Sequence, residues 1–227
     1  MTELVYDFEA GFDDPSNKNA WFGRLIGRNR RVLEVGCATG YVGEYLVKQR
    51  SCSAIGVEIV PEAAAKARSR ECYDDVIAGD IQDPLVIDRL RGEPFDFILF
   101  GDVLEHLVEP VAALRSVVTL LAANGRILIC VPNIVHWSMR LRILLGKFEY
   151  TQTGILDRTH LRFYTPESAR EMVRQAGMTI FSSGGVVWLP SPLNRLSTSS
   201  RARLERIATR VSPGFFHGQV LLEVAPG

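Results

Sequence analysis

The 227-residue sequence lacks most of what would mark a secreted, membrane-spanning or polyelectrolyte protein. Its four cysteines, Cys37, Cys52, Cys72 and Cys130, form no C-x-x-C pair, which argues against a disulfide framework and a zinc knuckle. Neither sign of charge is in excess: 26 basic residues balance 26 acidic ones, so the chain as a whole has no pull toward nucleic acid or membrane. No apolar run approaches the ~18–20 residues of a membrane span. The opening MTELVYDFEAGFDD has no basic region followed by an apolar core and does not read as a secretory signal. Internal repeats and low-complexity tracts are absent as well. What is present is an ordinary globular composition, 47% apolar and 23% charged, of a length suited to one α/β domain. The expectation is a soluble protein of the reducing cytoplasm.

Strand-type and helix-type segments alternate up to residue 132. Residues 1–30 read as an N-terminal arm. Its first 20 positions carry a net charge of −4 and lead into a short helix near Trp21–Arg28. Arg31–Val35 is a β-branched run that ends at Gly36. Tyr41–Gln49 reads as a helix with Tyr41, Val42, Tyr45 and Leu46 on one side. Ser53–Glu58 is a second strand, followed by the Ala-rich Pro61–Arg70 with proline at its first position. Asp75–Ala78 is a strand and Pro84–Leu90 a helix. Phe95–Phe100 is apolar after Asp96, which suits a strand buried on both faces. Val111–Ala122 reads as a helix stopped by Asn124-Gly125, and Arg126–Val131 as a strand stopped by Pro132. Five strands separated by four helices predict a parallel sheet with right-handed crossovers. The alternation then breaks. A long insertion, 133–165, precedes a helix at Pro166–Ala176. Two strands follow, Met178–Leu189 and Phe215–Val224, joined by 190–213 and expected to pair antiparallel at the sheet edge.

Residues 32–40, VLEVGCATG, place a glycine turn between the first strand and the next helix. Gly36 and Gly40 let the backbone turn sharply beside a helix N-terminus, whose free N–H groups attract a ligand. The dinucleotide fingerprint G-x-G-x-x-G fits poorly: its second glycine is Ala38 and its third is Tyr41. Glu34, inside the strand, would repel a pyrophosphate and attract a cationic ligand. With Glu34-Val35-Gly36-Cys37-Ala38-Thr39-Gly40 the chain resembles the class I S-adenosylmethionine-dependent methyltransferases. Their first motif is similar to E/D-x-G-x-G-x-G; the middle glycine is here Ala38. Glu58 ends the second strand 22 residues after Gly36, where an acid can accept both ribose hydroxyls. The family's pattern also implies that Asp80 accepts the adenine amino group with Ile81 packed on the ring. FDFILFGDVLEHL and GRILICVPN look like the fourth and fifth motifs. The cofactor-binding set implied by the resemblance is Glu34, Gly36, Ala38, Gly40, Glu58, Ile59, Asp80, Ile81 and Asp102. The resemblance covers residues 30–132 well and 133–180 more loosely. It implies a Rossmann-like, doubly wound seven-stranded sheet in the order 3-2-1-4-5-7-6, with strand 7 antiparallel and helical lid insertions.

Methyl transfer from a sulfonium is an in-line displacement, so the protein must mainly align the reacting atoms and exclude water. An oxygen or nitrogen nucleophile can also need a base, and histidine titrates near neutral pH. His106, just past the fourth strand in GDVLEHL, and His160, in LDRTHLRFY, are the catalytic candidates. The second stretch mixes polar and large apolar groups. It looks like the D-R-T-H-x-R-F-[FY] segment of methyltransferases acting on sugars or surface-polysaccharide precursors, with Asp157 orienting the imidazole or pairing with an arginine. A structural clasp tying the insertion to the sheet is the competing reading. His136 and His217 have no supporting context and read as structural. Asp102-x-x-Glu105-His106 resembles the metal-binding E-x-x-E-H cluster of RNA-end and quinone-precursor methyltransferases. Its first acid is one carbon shorter, and a fourth ligand would have to come from His160 or His136. No metal ligand is assigned.

His136–Phe148 is amphipathic and cationic, with Trp137, Leu141, Leu144 and Leu145 on one helical face. Ser199–Val211 is a second basic helix, with Leu204, Ile207, Ala208 and Val211 sharing a face in a region (195–213) of net charge +4. They read as lid helices with solvated basic faces, or as a surface for an anionic or lipid-linked acceptor or an acidic membrane. No nucleic-acid partner is expected. The domain reading is a single methyltransferase domain, 1–227: arm 1–30, cofactor core 31–132, lids 133–165 and 190–213. The functional expectation is methyl transfer from S-adenosyl-L-methionine to a small-molecule acceptor, by O-methylation of a sugar or glycan precursor. The alternatives are a quinone- or phenol-type O-methyltransferase and a non-catalytic cofactor-binding protein on the same fold.

Overall fold

The computed structural model describes residues 11–12, 14, 17–190 and 198–227. The first ten residues of the expected acidic arm and most of 190–197 lie outside the described residues. The elements run α1 (Lys18–Ile26), β1 (Arg31–Val35), α2 (Tyr41–Arg50), β2 (Ser53–Glu58), α3 (Pro61–Arg68), β3 (Asp75–Ala78), α4 (Pro84–Leu90) and β4 (Phe95–Gly101). A 3-10 turn (Leu104–His106) follows, then α5 (Pro110–Val118), β5 (Leu121–Pro132), α6 (Trp137–Leu144), α7 (Pro166–Gln175), β6 (Met178–Val187), α8 (Thr198–Val211), α9 (Pro213–Phe216) and β7 (His217–Pro226).

The seven strands form one sheet in the order β3-β2-β1-β4-β5-β7-β6. β1 pairs in parallel with β2 and β4, β2 with β3, and β4 with β5. β7 is antiparallel to both of its neighbours. The architecture implied by the resemblance is therefore the one observed. Each central strand is apolar on both faces because both are covered. Leu33 and Val35 of β1 join a cluster with Ile98 and Phe100 of β4 and with α4, α5 and α7. Val32, one residue out of phase, joins the opposite cluster with Phe22 and Ile26 of α1 and Val42 and Leu46 of α2. Helix starts follow local chemistry. Proline opens α3, α4, α5 and α7, and Thr165 and Ser168 close a reciprocal capping box on α7.

Three boundaries differ in substance from the sequence reading. α1 begins at Lys18, where the Asn17 side chain accepts from the Asn19 N–H at 2.9 Å, rather than near Trp21. α5 ends at Val118, not Ala122. The chain tightens through Thr119 N–H to Ser116 O and Leu120 N–H to Val117 O, and Leu121 already pairs with Phe95. Asn124-Gly125 therefore lies inside β5 at a register irregularity instead of terminating a helix. A Cβ on Gly125 would stand 2.9 Å from the Phe95 carbonyl oxygen, so the glycine serves a close approach of two strands. The last strand starts at His217, and Phe215 and Phe216 belong to the short α9.

The insertion folds back as a satellite of the core. Met139 of α6, Ile155 and Leu156 are buried together against Ile134 and Phe163. Met139 is the only buried residue of α6. Much of its apolar face is open to solvent, with Leu141, Leu144 and Leu145 exposed. On α8, Ala208 is buried while Ile207 and Val211 are exposed.

Candidate functional site

The C-terminal ends of β1, β2, β3 and β4 meet at the reversal of strand order, where open α/β sheets bind ligands. Gly36 leaves β1 with φ +69° and turns the chain into α2, whose N-cap is Gly40. A Cβ on Gly36 would sit 2.5 Å from Val103 Cγ2, so the turn and the segment after β4 close on each other only because that atom is missing. Ala38, at the position of the motif's missing glycine, also takes a left-handed backbone, φ +47°. That conformation is unfavourable for an L-residue by about 1–2 kcal/mol. A cleft lies here, lined by α1, the end of β1, the turn, the start of α2 and the end of β4.

Glu34 is buried in this cleft and accepts a hydrogen bond from the Tyr73 hydroxyl at 2.6 Å. Burial pushes its carboxyl up to about 7, against the pull of Tyr73, the Gly43 N–H and Lys18. The Glu58 carboxylate, also buried, accepts from the Ala38 N–H at 2.8 Å and the Val60 N–H at 2.9 Å. It braces the glycine turn from the end of β2 and still offers lone pairs to two hydroxyls. Asp80, after β3, accepts from the Gln82 N–H at 2.8 Å. Ile81 is buried and Ile59 is 63% exposed. Three acids thus stand at or near the ends of three adjacent strands beside a glycine turn, an acceptor set matched to a ligand with a cationic group and free hydroxyls.

Asp102, at the end of β4, has φ +63°, a region that aspartate tolerates better than most residues. Its carboxylate accepts from Gln219 Nε2 of β7 at 2.9 Å and from the Cys130 thiol of β5 at 3.3 Å, and it pairs with the Lys18 ammonium of α1. Lys18 also donates to the Gly101 carbonyl at 3.2 Å. Burial by itself would lower the lysine pKa, but the charge of Asp102 reverses that and holds it above its usual range. Lys18, Tyr73 and Gln219 were invisible to sequence reasoning. Lys18 lines the cleft, Tyr73 holds Glu34 and Gln219 holds Asp102, each from an element distant in the chain, and none belongs to a motif.

Across the cleft, the 3-10 turn after β4 carries Glu105 and His106, and the insertion brings His160 to them. The two imidazole rings meet edge to face with centroids 4.7 Å apart. His106 Nδ1 faces the Thr159 carbonyl at 3.2 Å, and His160 Nδ1 faces the Ile155 carbonyl at 3.1 Å. A carbonyl partner fixes each Nδ1 as the donor and leaves Nε2 as a bare lone pair. Burial, then the neighbouring His106, lower the His160 pKa, so this ring is neutral at pH 7. Its Nε2 stands 3.9 Å from Glu105 Oε1. Glu105 is 1% exposed, and neither carboxylate oxygen accepts a hydrogen bond. Burial, reinforced by the charge of Asp102, raises its pKa well above the usual carboxylate range.

Glu105, His106 and His160 bring one ligand atom each within 4.8 Å of one another. A buried carboxylate without partners next to two bare imidazole nitrogens is a donor set that could hold a divalent ion. Of the two histidines open to complete this cluster, His160 is the one that does so. Asp102 is not part of this group, because its carboxylate faces Lys18, Gln219 and Cys130.

The stretch 156–164 does two jobs. Its backbone N–H groups at Leu161 and Arg162 donate to the Glu105 carbonyl at 2.9 and 3.1 Å, and the Arg162 side chain reaches the Leu107 and Val108 carbonyls. Tyr164 is buried against Leu104. Asp157 accepts from the Thr159 N–H and hydroxyl at 2.8 and 2.7 Å. The segment is a clasp on the 3-10 turn that also delivers His160. His136 and His217 are buried away from the cleft. His136 faces the Trp188 carbonyl at 3.1 Å and His217 the Thr209 hydroxyl at 3.2 Å.

Comparison with known proteins gives the family and the fold. Residues 15–183 match the family described as "Methyltransferase domain". A Xylella fastidiosa protein named ubiquinone biosynthesis O-methyltransferase is 27% identical over 191 residues, covering 82% of this chain and 76% of its own. The Neisseria meningitidis protein of the same name is 25% identical over 165 residues, covering 71% and 68%. Among solved structures, a SAM-dependent methyltransferase from Archaeoglobus fulgidus superposes with a TM-score of 0.61 at 17% identity, covering 95% of this chain and 94% of that one. The last comparison speaks for the fold.

Proposed function

The chain belongs to the methyltransferase domain family, and from that premise we propose that it transfers the methyl group of S-adenosylmethionine to a phenol-type hydroxyl on a small acceptor. The observation that carries the cofactor is the set of acids Glu34, Glu58 and Asp80 at three adjacent strand ends around the Gly36–Gly40 turn. Glu34 faces the cationic end of the cofactor, Glu58 takes the ribose hydroxyls and Asp80 the adenine amino group. S-adenosylmethionine supplies an already activated methyl carbon when bound. The protein aligns the acceptor oxygen behind that carbon, keeps out water and removes the hydroxyl proton.

One of the two imidazoles, His106 or His160, receives that proton. Both carry bare Nε2 lone pairs, and both lie beside the segment after β4 that borders the cleft. Alternatively, a divalent ion held by Glu105, His106 and His160 would occupy those lone pairs, polarise the acceptor oxygen and let its proton leave to solvent. The phenol reading is preferred to the sugar reading for two reasons. The curated relatives are named for ubiquinone biosynthesis. The Asp157–Tyr164 stretch, which suggested sugars, spends much of its polarity on the clasp.

The lid favours an apolar or lipid-borne acceptor. Leu144 is 83% and Leu145 62% exposed, with Phe148 and Tyr150 beside them and Arg140, Arg142 and Lys147 along the same segment. An exposed apolar tip ringed by cations fits an anionic bilayer surface. Among the described residues, no helix is long and apolar enough to cross a membrane. The test is calorimetric titration with S-adenosylmethionine and its demethylated product. It is followed by methyl transfer to catechol-type phenols and to nucleotide sugars, with and without a divalent ion, read by mass spectrometry. Binding of both sulfur compounds with a methylated phenol is the expected outcome. A methylated sugar alone would restore the glycan reading.

A further inference from the structure

Tyr73 belongs to no motif, yet three glycines clear its path to Glu34. It sits on the loop between α3 and β3. A Cβ on Gly43 of α2 would stand 2.1 Å from Tyr73 Cζ. One on the N-cap Gly40 would stand 3.0 Å from the ring, and one on Gly56 of β2 would stand 3.3 Å from it. Gly43 lies outside the turn motif, and glycine is unfavourable in a helix relative to alanine. Its place in α2 is explained by the ring that passes it. Arg70, on the same loop, donates to the Thr39 carbonyl and pairs with Glu44, which holds the loop against the turn and α2.

The hydroxyl at the end of this ring is used twice. It accepts from the Gly43 N–H at 3.2 Å and donates to Glu34 Oε2 at 2.6 Å. Gly40 gives α2 no side-chain cap, so the phenol oxygen serves one of the free N–H groups of that helix. Its single proton is then committed to the carboxylate. Burial, then the Glu34 charge, hold the phenol above its usual range, so it stays protonated where Glu34 titrates. Such a donor favours the ionised acid. Burial and the charge of Glu58 oppose ionisation of Glu34, and Lys18 favours it. The nearby Cys37 thiol, raised by burial, stays neutral. Under the cofactor reading above, on which this inference rests, we propose that Tyr73 is the positioning residue for Glu34. With its oxygen held by α2, it fixes the carboxylate in the orientation and charge that meet the cofactor's cationic end. The start of α2 and the acid of β1 thereby act as one unit through one phenolic proton.

Tyr73→Phe keeps the ring and removes the proton. The Glu34 carboxyl is followed in the unliganded protein by carbon NMR of isotope-labelled glutamate, with Glu34→Gln to assign its signal. Its titration midpoint is expected to rise from about 7 by about one pH unit in Tyr73→Phe. Calorimetry with S-adenosylmethionine should follow the same titration. Affinity should fall about 5-fold near pH 7 and return to within about 2-fold of wild type near pH 8.5. In a Glu34→Gln background the same substitution should change affinity by less than about 2-fold. Gly43→Ala, which displaces the ring but keeps the hydroxyl, should raise the carboxyl midpoint likewise. Thermal melts confirm the folding of each variant. An unmoved midpoint in Tyr73→Phe would reduce the ring to packing and overturn the proposal. So would an equal loss of affinity at every pH, or a loss that persists undiminished with Glu34→Gln. A midpoint that moves while S-adenosylmethionine affinity ignores it would instead bring down the placement of the cofactor's cation at Glu34.

Discussion

The two halves of the cleft treat their polar groups in opposite ways. On the β1–β3 side, the acids are already held by the protein. Glu34 has Tyr73, Glu58 has the Ala38 and Val60 N–H groups, and Asp80 has Gln82. On the insertion side, Glu105 is buried without a hydrogen bond, two imidazoles present bare nitrogens, and the tip after α6 leaves leucines in water. The difference teaches that the first half is preorganised for one ligand, while the second keeps unspent interactions for reaction and acceptor. A satisfied polar group positions a ligand at little reorganisation cost; an unsatisfied one stores reactivity at the expense of stability.

The comparison breaks most severely at Gly36. Gly36→Ala forces a Cβ to within 2.5 Å of Val103 Cγ2 at φ +69°. Calorimetry is expected to show cofactor affinity down by more than about 100-fold, with a left-handed penalty of ~1–2 kcal/mol visible in the melt. On the other side, His160→Ala should lower turnover by about 100-fold or more while cofactor affinity stays within ~2-fold. Matched losses in both quantities would show that the halves are not separable.

Glu34 sharpens the contrast through pH. Its folded pKa of about 7 lies above the ordinary 4.5, so the folded state holds a proton that the unfolded state releases. Stability contributed by this group is therefore full below about 4.5 and falls as pH rises to about 7. Cofactor affinity should run the other way, rising as pH passes about 7 and the carboxylate ionises to meet a cation. Glu34→Gln should flatten both profiles; a slope that survives in the variant would assign it to another group. A smaller effect is expected at the lid. Leu144→Asp should weaken co-flotation with anionic vesicles severalfold and leave turnover of a soluble phenol unchanged. The smallest concerns Ala38, where Ala38→Gly should relieve the strain at φ +47° and raise stability by about 1 kcal/mol, read as a higher Tm.

Much of the first half was legible in the chain because its signals are local. A glycine turn, an acid at a strand end and a proline at a helix start each need only neighbouring residues; their alternation gave a parallel sheet, and its strand order came with the family resemblance. Where local signals misled, packing was the reason. Leu121 and Ala122 are good helix formers, yet the chain turns into β5 there because Phe95 is in place to pair with Leu121. Gly125 looked like a helix stop and is a strand contact. The D-R-T-H stretch left an acceptor-site role and a structural clasp both open; the reach of Arg162 to the Leu107 and Val108 carbonyls adds the clasp, and a hydrogen-bond partner far along the chain leaves no local mark.

By itself the sequence determined the alternation of strands and helices, the acid–glycine turn and the family they belong to, because periodicity and turn chemistry act over a few residues. Only the tertiary structure decided that Lys18 from the first helix faces Asp102, that Tyr73 holds Glu34, and that Glu105, His106 and His160 converge. Those meetings depend on how α1, the insertion and β7 close over the sheet, and burial then sets the charge each group carries.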